Sequence, residues 1–160
     1  MLRKLLQTNN DPVLTVLRLV LGVVFFAHGA QKMLGWFGGY GFSGTMGFFE
    51  HSGIPAVFAF LAIAAEFFGG IGLLLGLFSR VAAFGITCNM LVAIATVHAR
   101  NGLFMNWTGL QKGEGFEFHL LVLAITTLIM VRGAGAFSLD RVISHRASSD
   151  YESRFLAKAS

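Results

Sequence analysis

Cysteine is nearly absent from this chain: Cys88 stands alone among 160 residues. A single thiol cannot close an intramolecular disulfide or form a Cys-x-x-Cys pair, which excludes dithiol relay chemistry carried by this chain alone. Charge is also scarce. Asp, Glu, Lys and Arg make up 12% of the residues against 55% hydrophobic ones, and the mean hydropathy of +0.70 lies outside the range of soluble domains. No His-x-x-His or His-Glu-x-x-His spacing occurs, so no metal is expected. The glycine-rich stretches lie inside apolar runs and not in strand-to-helix turns. No flavin or nicotinamide fingerprint is therefore present, and any such cofactor has to come from a partner.

What the chain does have is four runs rich in Leu, Val, Ala, Phe and Gly: Pro12 to Gly35, Ile54 to Ser79, Val81 to His98 and Phe116 to Val131. Each is near the ~17 to 25 residues that cross hydrocarbon as a helix. The expected fold is all-α, a membrane-spanning four-helix bundle in contact with the lipid bilayer. Arg3 and Lys4 before the first run suggest a signal peptide, but that run is too long, carries Arg18 and lacks a cleavage site, so it reads as a retained span. A pI near 9.7 raises the question of nucleic acid. The basic residues instead flank the apolar spans, which fits membrane topology and no nucleic-acid partner. Arg80, Arg132, Arg141, Arg146, Arg154 and Lys158 join Arg3 and Lys4 on one side, which by the positive-inside rule is cytoplasmic and holds both termini.

The chain divides into a cytoplasmic N-terminus (1–11), one transmembrane domain (12–140) and a cytoplasmic tail (141–160). In the first outer loop, Ser43 or Thr45 is expected to cap a short interfacial helix ending near Gly53. Pro55 should occupy the first turn of the second span. The second outer loop is polar and glycine-rich, with Trp107 suited to the headgroup region, and should cap the outer end of the bundle. Ser138 to Ser144 should form a short amphipathic turn, followed by a tail.

Glu66 sits near the middle of an otherwise uncharged run. A carboxylate at that depth costs roughly 3 kcal/mol or more, so it needs a partner or a task. On a helical wheel Arg18, Gly22, Phe25, Gly29 and Lys32 share a stripe about 80° wide, and Glu66, Gly69, Gly70, Leu73, Leu77 and Arg80 share one about 100° wide. Glycines beside a charge let another helix approach closely. The first two spans are expected to pack along these stripes, with Glu66 paired to Arg18. The plainer reading is that such a pair only locks helix register.

A second constellation, His28, His51, His98, His119, Glu50 and Glu117, maps to the outward side. Its chemistry suits a transition metal, a haem edge or a proton relay to a quinone carbonyl, or plain anchoring at the headgroups or hydrogen bonding within the bundle, and the spacing speaks against the metal and the haem. Glu117 and His119 subtend about 200° and cannot both face the interior; Glu117 is taken as the inward one. Phe25 and Phe67 are candidates to line a slot for a flat ring, although most phenylalanines are packing or lipid-facing. Gly72 and Gly76 read as a small-xxx-small packing pair.

The segments RLVLGVVFFAHGAQK, AEFFGGIGLLLGLFSR, GFEFHLL and GAGAFSLD resemble, in order and spacing, the DoxX family of small bacterial membrane proteins, over roughly Val13 to Asp140. Where that family usually has Gly-Pro-Gly, this chain has Gly133-Ala134-Gly135. The resemblance implies a multi-pass protein of the bacterial cytoplasmic membrane, related to subunits of membrane oxidoreductase systems. By position it carries over Arg18, His28, Gly29, Lys32, Glu66, Gly69, Gly70, Arg80, Glu117, Ser138 and Asp140.

Three functions follow as expectations. The first is a redox-linked subunit that binds a quinone or similar aromatic ring. In it Glu66, Arg18, His28 and Glu117 do the chemistry, and Lys32, Gly29, Gly69, Gly70 and Phe25 form the binding site. The second is a non-catalytic scaffold recruiting a soluble oxidoreductase through the cytoplasmic basic face. The third is a small proton-coupled transporter of aromatic compounds, working as a homo-oligomer.

Overall fold

Asp11 starts the first long helix by two devices at once. Its carboxylate accepts from Val13 N at 2.9 Å and Leu14 N at 3.3 Å, while Pro12 fills the first helical position, where no N–H is needed. This helix, α1 (Pro12–Leu34), stops at Gly35, whose φ of 75° is the left-handed conformation glycine adopts without strain. The computed structural model describes residues 5–145. The tail expected beyond residue 145 and the first four residues, with Arg3 and Lys4, lie outside that range.

After a 3₁₀ turn (Trp36–Gly38) come α2 (Gly41–His51) and α3 (Ala56–Leu75). The reversal through Gly76 to Phe78 is so tight that both carry positive φ, 65° and 48°. α4 (Ser79–Ala93) then widens into a π turn (Ile94–His98) and tightens into a 3₁₀ turn (Ala99–Asn101). A long loop leads to α5 (Glu117–Arg132), and residues 139–145 are helical again. No strand occurs among the described residues.

Two local expectations are corrected. Neither Ser43 nor Thr45 caps α2, which starts behind Tyr40 with no side-chain cap; Thr45 is instead buried. Pro55 stands one residue before α3, in extended conformation, and not inside its first turn.

Three helices are long and apolar enough to cross a membrane: Pro12–Leu34, Ala56–Leu75 and the continuous stretch Ser79–Asn101. α5 has 16 residues, roughly 24 Å at 1.5 Å each. The helices pack in chain order, α1 on α3, α3 on α4, α4 on α5, and α5 touches α1 again. Leu14, Leu21, Phe25, Leu73, Ile86, Met90, Val122 and Ile129 fill the space between them. The outside is also apolar, with Val13, Val20, Val57, Phe58, Phe68, Phe84, Leu91, Leu121 and Val131 all exposed. In water such a surface would aggregate; in hydrocarbon it is the solvent-facing side.

Candidate functional site

Two polar centres are built into this apolar frame, one at the end where residues 8–11 meet the segment after α5, here called proximal, and one midway along α3. The proximal centre belongs to Arg18. Its side chain is 1% exposed, and it donates to Ala134 O at 2.8 Å, Leu74 O at 3.0 Å and Phe137 O at 2.6 Å, and also to Leu73 O. The guanidinium thus satisfies carbonyls left over at the C-terminal end of α3 and in the segment after α5, where backbone acceptors in an apolar setting need donors.

Asp140, also 1% exposed, completes this centre by accepting from Phe78 N at 2.7 Å and Ser79 N at 2.9 Å, capping α4 from across the chain. Gly76 fits between Ser138 and Arg18, where a Cβ would lie 2.5 Å from the Ser138 Cβ. It is therefore a turn glycine, which corrects its assignment to a packing pair with Gly72. Arg80 adds a further tie, donating to Met130 O at 2.6 Å and Gln7 O at 2.9 Å.

The mid-depth centre belongs to Glu66. About ten residues of α3 lie on either side of it, so its Cα stands roughly 15 Å from each helix end. The carboxylate forms an ion pair with Lys32 of α1 and accepts from Asn89 Nδ2 of α4 at 2.8 Å. The expected pairing with Arg18 is thereby corrected: Arg18 and Lys32 share one stripe of α1 but stand 14 residues, roughly 21 Å, apart along it. Glu66 is 8% exposed and Lys32 28%, so one partner is enclosed and the other is accessible.

Glycine sets this geometry. A Cβ on Gly29 would overlap the backbone of Phe67, and one on Gly70 the backbone of Phe26, so α1 and α3 touch main chain to main chain beside the ion pair. Gly69 faces Ile86 and Ala82 of α4 instead. Phe26 and Phe67 stack at 5.9 Å with planes 29° apart, and Trp36 meets Phe26 edge-on at 6.4 Å. Phe25, expected in a ring slot, is a core residue 2% exposed, and the ring that stacks on Phe67 is that of its neighbour Phe26.

The remaining candidates are dispersed. His28 is exposed and lines an open concavity with Val24, Gln31 and Phe37. His51 is exposed and bonds Gly47 O at 2.7 Å. Glu117 accepts from Met105 N at 3.0 Å and Trp107 Nε1 at 2.9 Å, so it holds the distal loop, and the buried member of the Glu117–His119 pair is His119. That reverses the expected orientation. His119 packs against His98 with ring centroids 4.1 Å apart. Among the described residues no three His, Cys, Asp or Glu side chains gather in a metal-holding group. Asn89 is the residue the sequence reading missed. An amide in the middle of an apolar span is the signal that marks it.

The fold and this site define a small, multi-pass helical membrane protein whose apolar interior encloses a carboxylate paired with a partly exposed ammonium. The DoxX family profile matches residues 13–99, and the chain belongs to that family. It is 33% identical over 152 residues to a Mycobacterium tuberculosis (strain ATCC 25618 / H37Rv) protein named "Uncharacterized membrane protein Rv3486", covering 91% of this chain and 90% of that one. It is 28% identical over 125 residues to "Putative oxidoreductase CatD" of Bacillus subtilis (strain 168), covering 78% and 82%. It is 27% identical over 137 residues to "Inner membrane protein YqjF" of Escherichia coli (strain K12), covering 86% and 96%. No solved structure matches the chain to a significant degree.

Proposed function

We propose that this protein is a subunit of a membrane oxidoreductase system and binds a quinone or similar aromatic ring beside Lys32 and Glu66. The observation that carries the reading is the asymmetry of the pair. An enclosed carboxylate is held by Asn89 and by an ammonium that is itself more than a quarter exposed, at 28%. Enclosing both charges would cost the desolvation of two ions for a register lock alone, whereas here the ammonium is left open to a ligand. An accessible ammonium next to a fixed carboxylate can donate to a ring carbonyl, while Glu66 accepts or returns a proton at Oε2, the atom Lys32 now holds. Phe26 and Phe67 offer an aromatic face beside it. The oxidoreductase name of one relative points the same way. With no dinucleotide motif in the chain, the electrons come from a partner subunit.

In this reading α5 is a fourth span that completes a four-helix bundle, and α2 lies in the membrane interface. The proximal end, with Arg80, Arg132 and Arg141, faces the cytoplasm of a bacterial inner membrane. Arg18 and Asp140 hold the frame and take no part in chemistry. His28 and Glu117 lie outside the site.

Trp36, in ring contact with Phe26, is the natural reporter. Titrating the detergent-solubilised protein with a short-chain ubiquinone should quench Trp36 saturably in a W107F background. Glu66→Gln should remove the saturable component while helical content is unchanged. Equal quenching in the two proteins would refute the assignment.

A further inference from the structure

The distal loop between α4 and α5 ties its own acids to its own N–H groups. Glu117 holds Met105 N and Trp107 Nε1, Glu114 Oε2 accepts from Asn106 N at 2.6 Å, and Asn106 Oδ1 accepts from Gln111 N at 2.9 Å. Backbone bonds from Gly115 N to Phe104 O, Phe116 N to Gly102 O and Glu117 N to Leu103 O, at 2.8 to 3.2 Å, close its base. The loop is therefore a built structure, and its two carboxylates are engaged with its own N–H groups.

Its two cations are not engaged. Among the described residues neither Arg100 nor Lys112 has a hydrogen bond or an ion pair. Both line one concavity of about 320 Å³, together with Gly102, Phe104, Gln111 and Gly113. Two like charges facing one small space, with the nearby acids already bonded elsewhere, make a site for an anion. A guanidinium fork can take both non-ester oxygens of a phosphodiester, with an ammonium beside one of them.

The position of this site selects the kind of anion. Arg100 lies in the last turn of the candidate span Ser79–Asn101, the level at which a helix leaves hydrocarbon and meets headgroups. Phe104, which lines the concavity, is 65% exposed, and Trp107 and Leu110 of the same loop are 84% and 89% exposed, apolar side chains with no protein to cover them. A free phosphate has no use for that apolar rim, whereas a molecule with an anionic head and acyl chains matches both features. We propose that Arg100 and Lys112 clamp the phosphodiester of an anionic phospholipid in the leaflet at the distal end. This is independent of the quinone reading, because no residue is shared between the two sites.

The test uses the full chain in uncharged detergent with Trp36→Phe, so that Trp107 is the only tryptophan. Phosphatidylglycerol and phosphatidylcholine with identical chains are titrated while Trp107 emission is followed. Phosphatidylglycerol should saturate the signal and bind at least tenfold more tightly, and salt should weaken it. Arg100→Gln or Lys112→Gln should each weaken it about fivefold and the double variant about 25-fold, while Lys112→Arg stays near wild type. Neither cation makes an internal bond, so the melting temperature of all variants should stay unchanged. A hundredfold excess of inorganic phosphate should leave lipid binding intact; full displacement by phosphate would mean a free-anion site and overturn the lipid assignment. Equal affinity for phosphatidylcholine, salt-insensitive binding, or undiminished binding by the double variant would each overturn the clamp.

Discussion

Gly29 and Phe67 meet backbone to backbone, and that contact brings Lys32, one turn further along α1, within reach of Glu66, the residue before Phe67. The ion pair thus depends on a glycine that carries no polar side chain. Gly29→Ala should push α1 and α3 apart and destabilise the protein by about 3 kcal/mol, near the upper end for an inserted methyl group in a packed core. Gly47→Ala in α2 is the control, since a Cβ there meets nothing within 4 Å. It should be neutral or stabilising by up to ~1 kcal/mol. Thermal unfolding in detergent compares the two.

The two halves of the ion pair should respond differently to removal. Lys32→Met strands an enclosed carboxylate and should cost about 3 kcal/mol, whereas Glu66→Gln strands an ammonium that is 28% exposed and can swing away on its long stem, and should cost about half as much. The double variant should be more stable than Lys32→Met alone, because it leaves no unpaired charge. A double variant that simply sums the single losses would show that the two side chains do not interact.

At the proximal end Arg18 bonds carbonyls on two separate segments, which a single ammonium cannot reproduce. Arg18→Lys should therefore destabilise the protein nearly as much as Arg18→Met, by roughly 3 kcal/mol or more, since acceptors are left unpaired in an apolar setting. Asp140→Ala should cost about 1 to 2 kcal/mol, the range for losing a helix cap. Both are read from unfolding curves, and neither should alter the Trp36 response to quinone per folded molecule.

Glu117 makes a separate prediction for the distal loop. Glu117→Ala frees Met105 N and Trp107 Nε1 together, so hydrogen exchange at residues 102–107 should quicken and Trp107 emission should move to the red. If Glu117 faced the bundle interior instead, the loop amides would keep their protection.

Much of this was legible in the residues. Hydropathy located the helices, placing the first apolar run at Pro12 to Gly35, and the glycine stripes showed which faces of α1 and α3 meet. The partner of Glu66 was not legible, because Arg18 and Lys32 lie on the same stripe and only axial offset separates them. Matching span ends favours Arg18, which is about 9 Å from its end against about 14 Å for Glu66. The Gly29–Phe67 and Gly70–Phe26 contacts slide α1 so that its distal end falls short of that of α3, placing Lys32 at the depth of Glu66. A wheel gives angle and hydropathy gives ends, but close-packed glycines set the offset. For Glu117 the opposition to His119 was correct in angle, and the choice of inner side failed because loop amides, invisible in the pattern, claimed the carboxylate.

The most direct measurement is the quinone content of purified protein, by mass spectrometry, for the wild type and for the Lys32→Met/Glu66→Gln double variant, in which no charge is stranded. The account predicts close to one quinone per wild-type chain and almost none in the folded double variant. Equal quinone in both, or none in either when the membranes are rich in it, would contradict the claim that this ion pair is a ring-binding site.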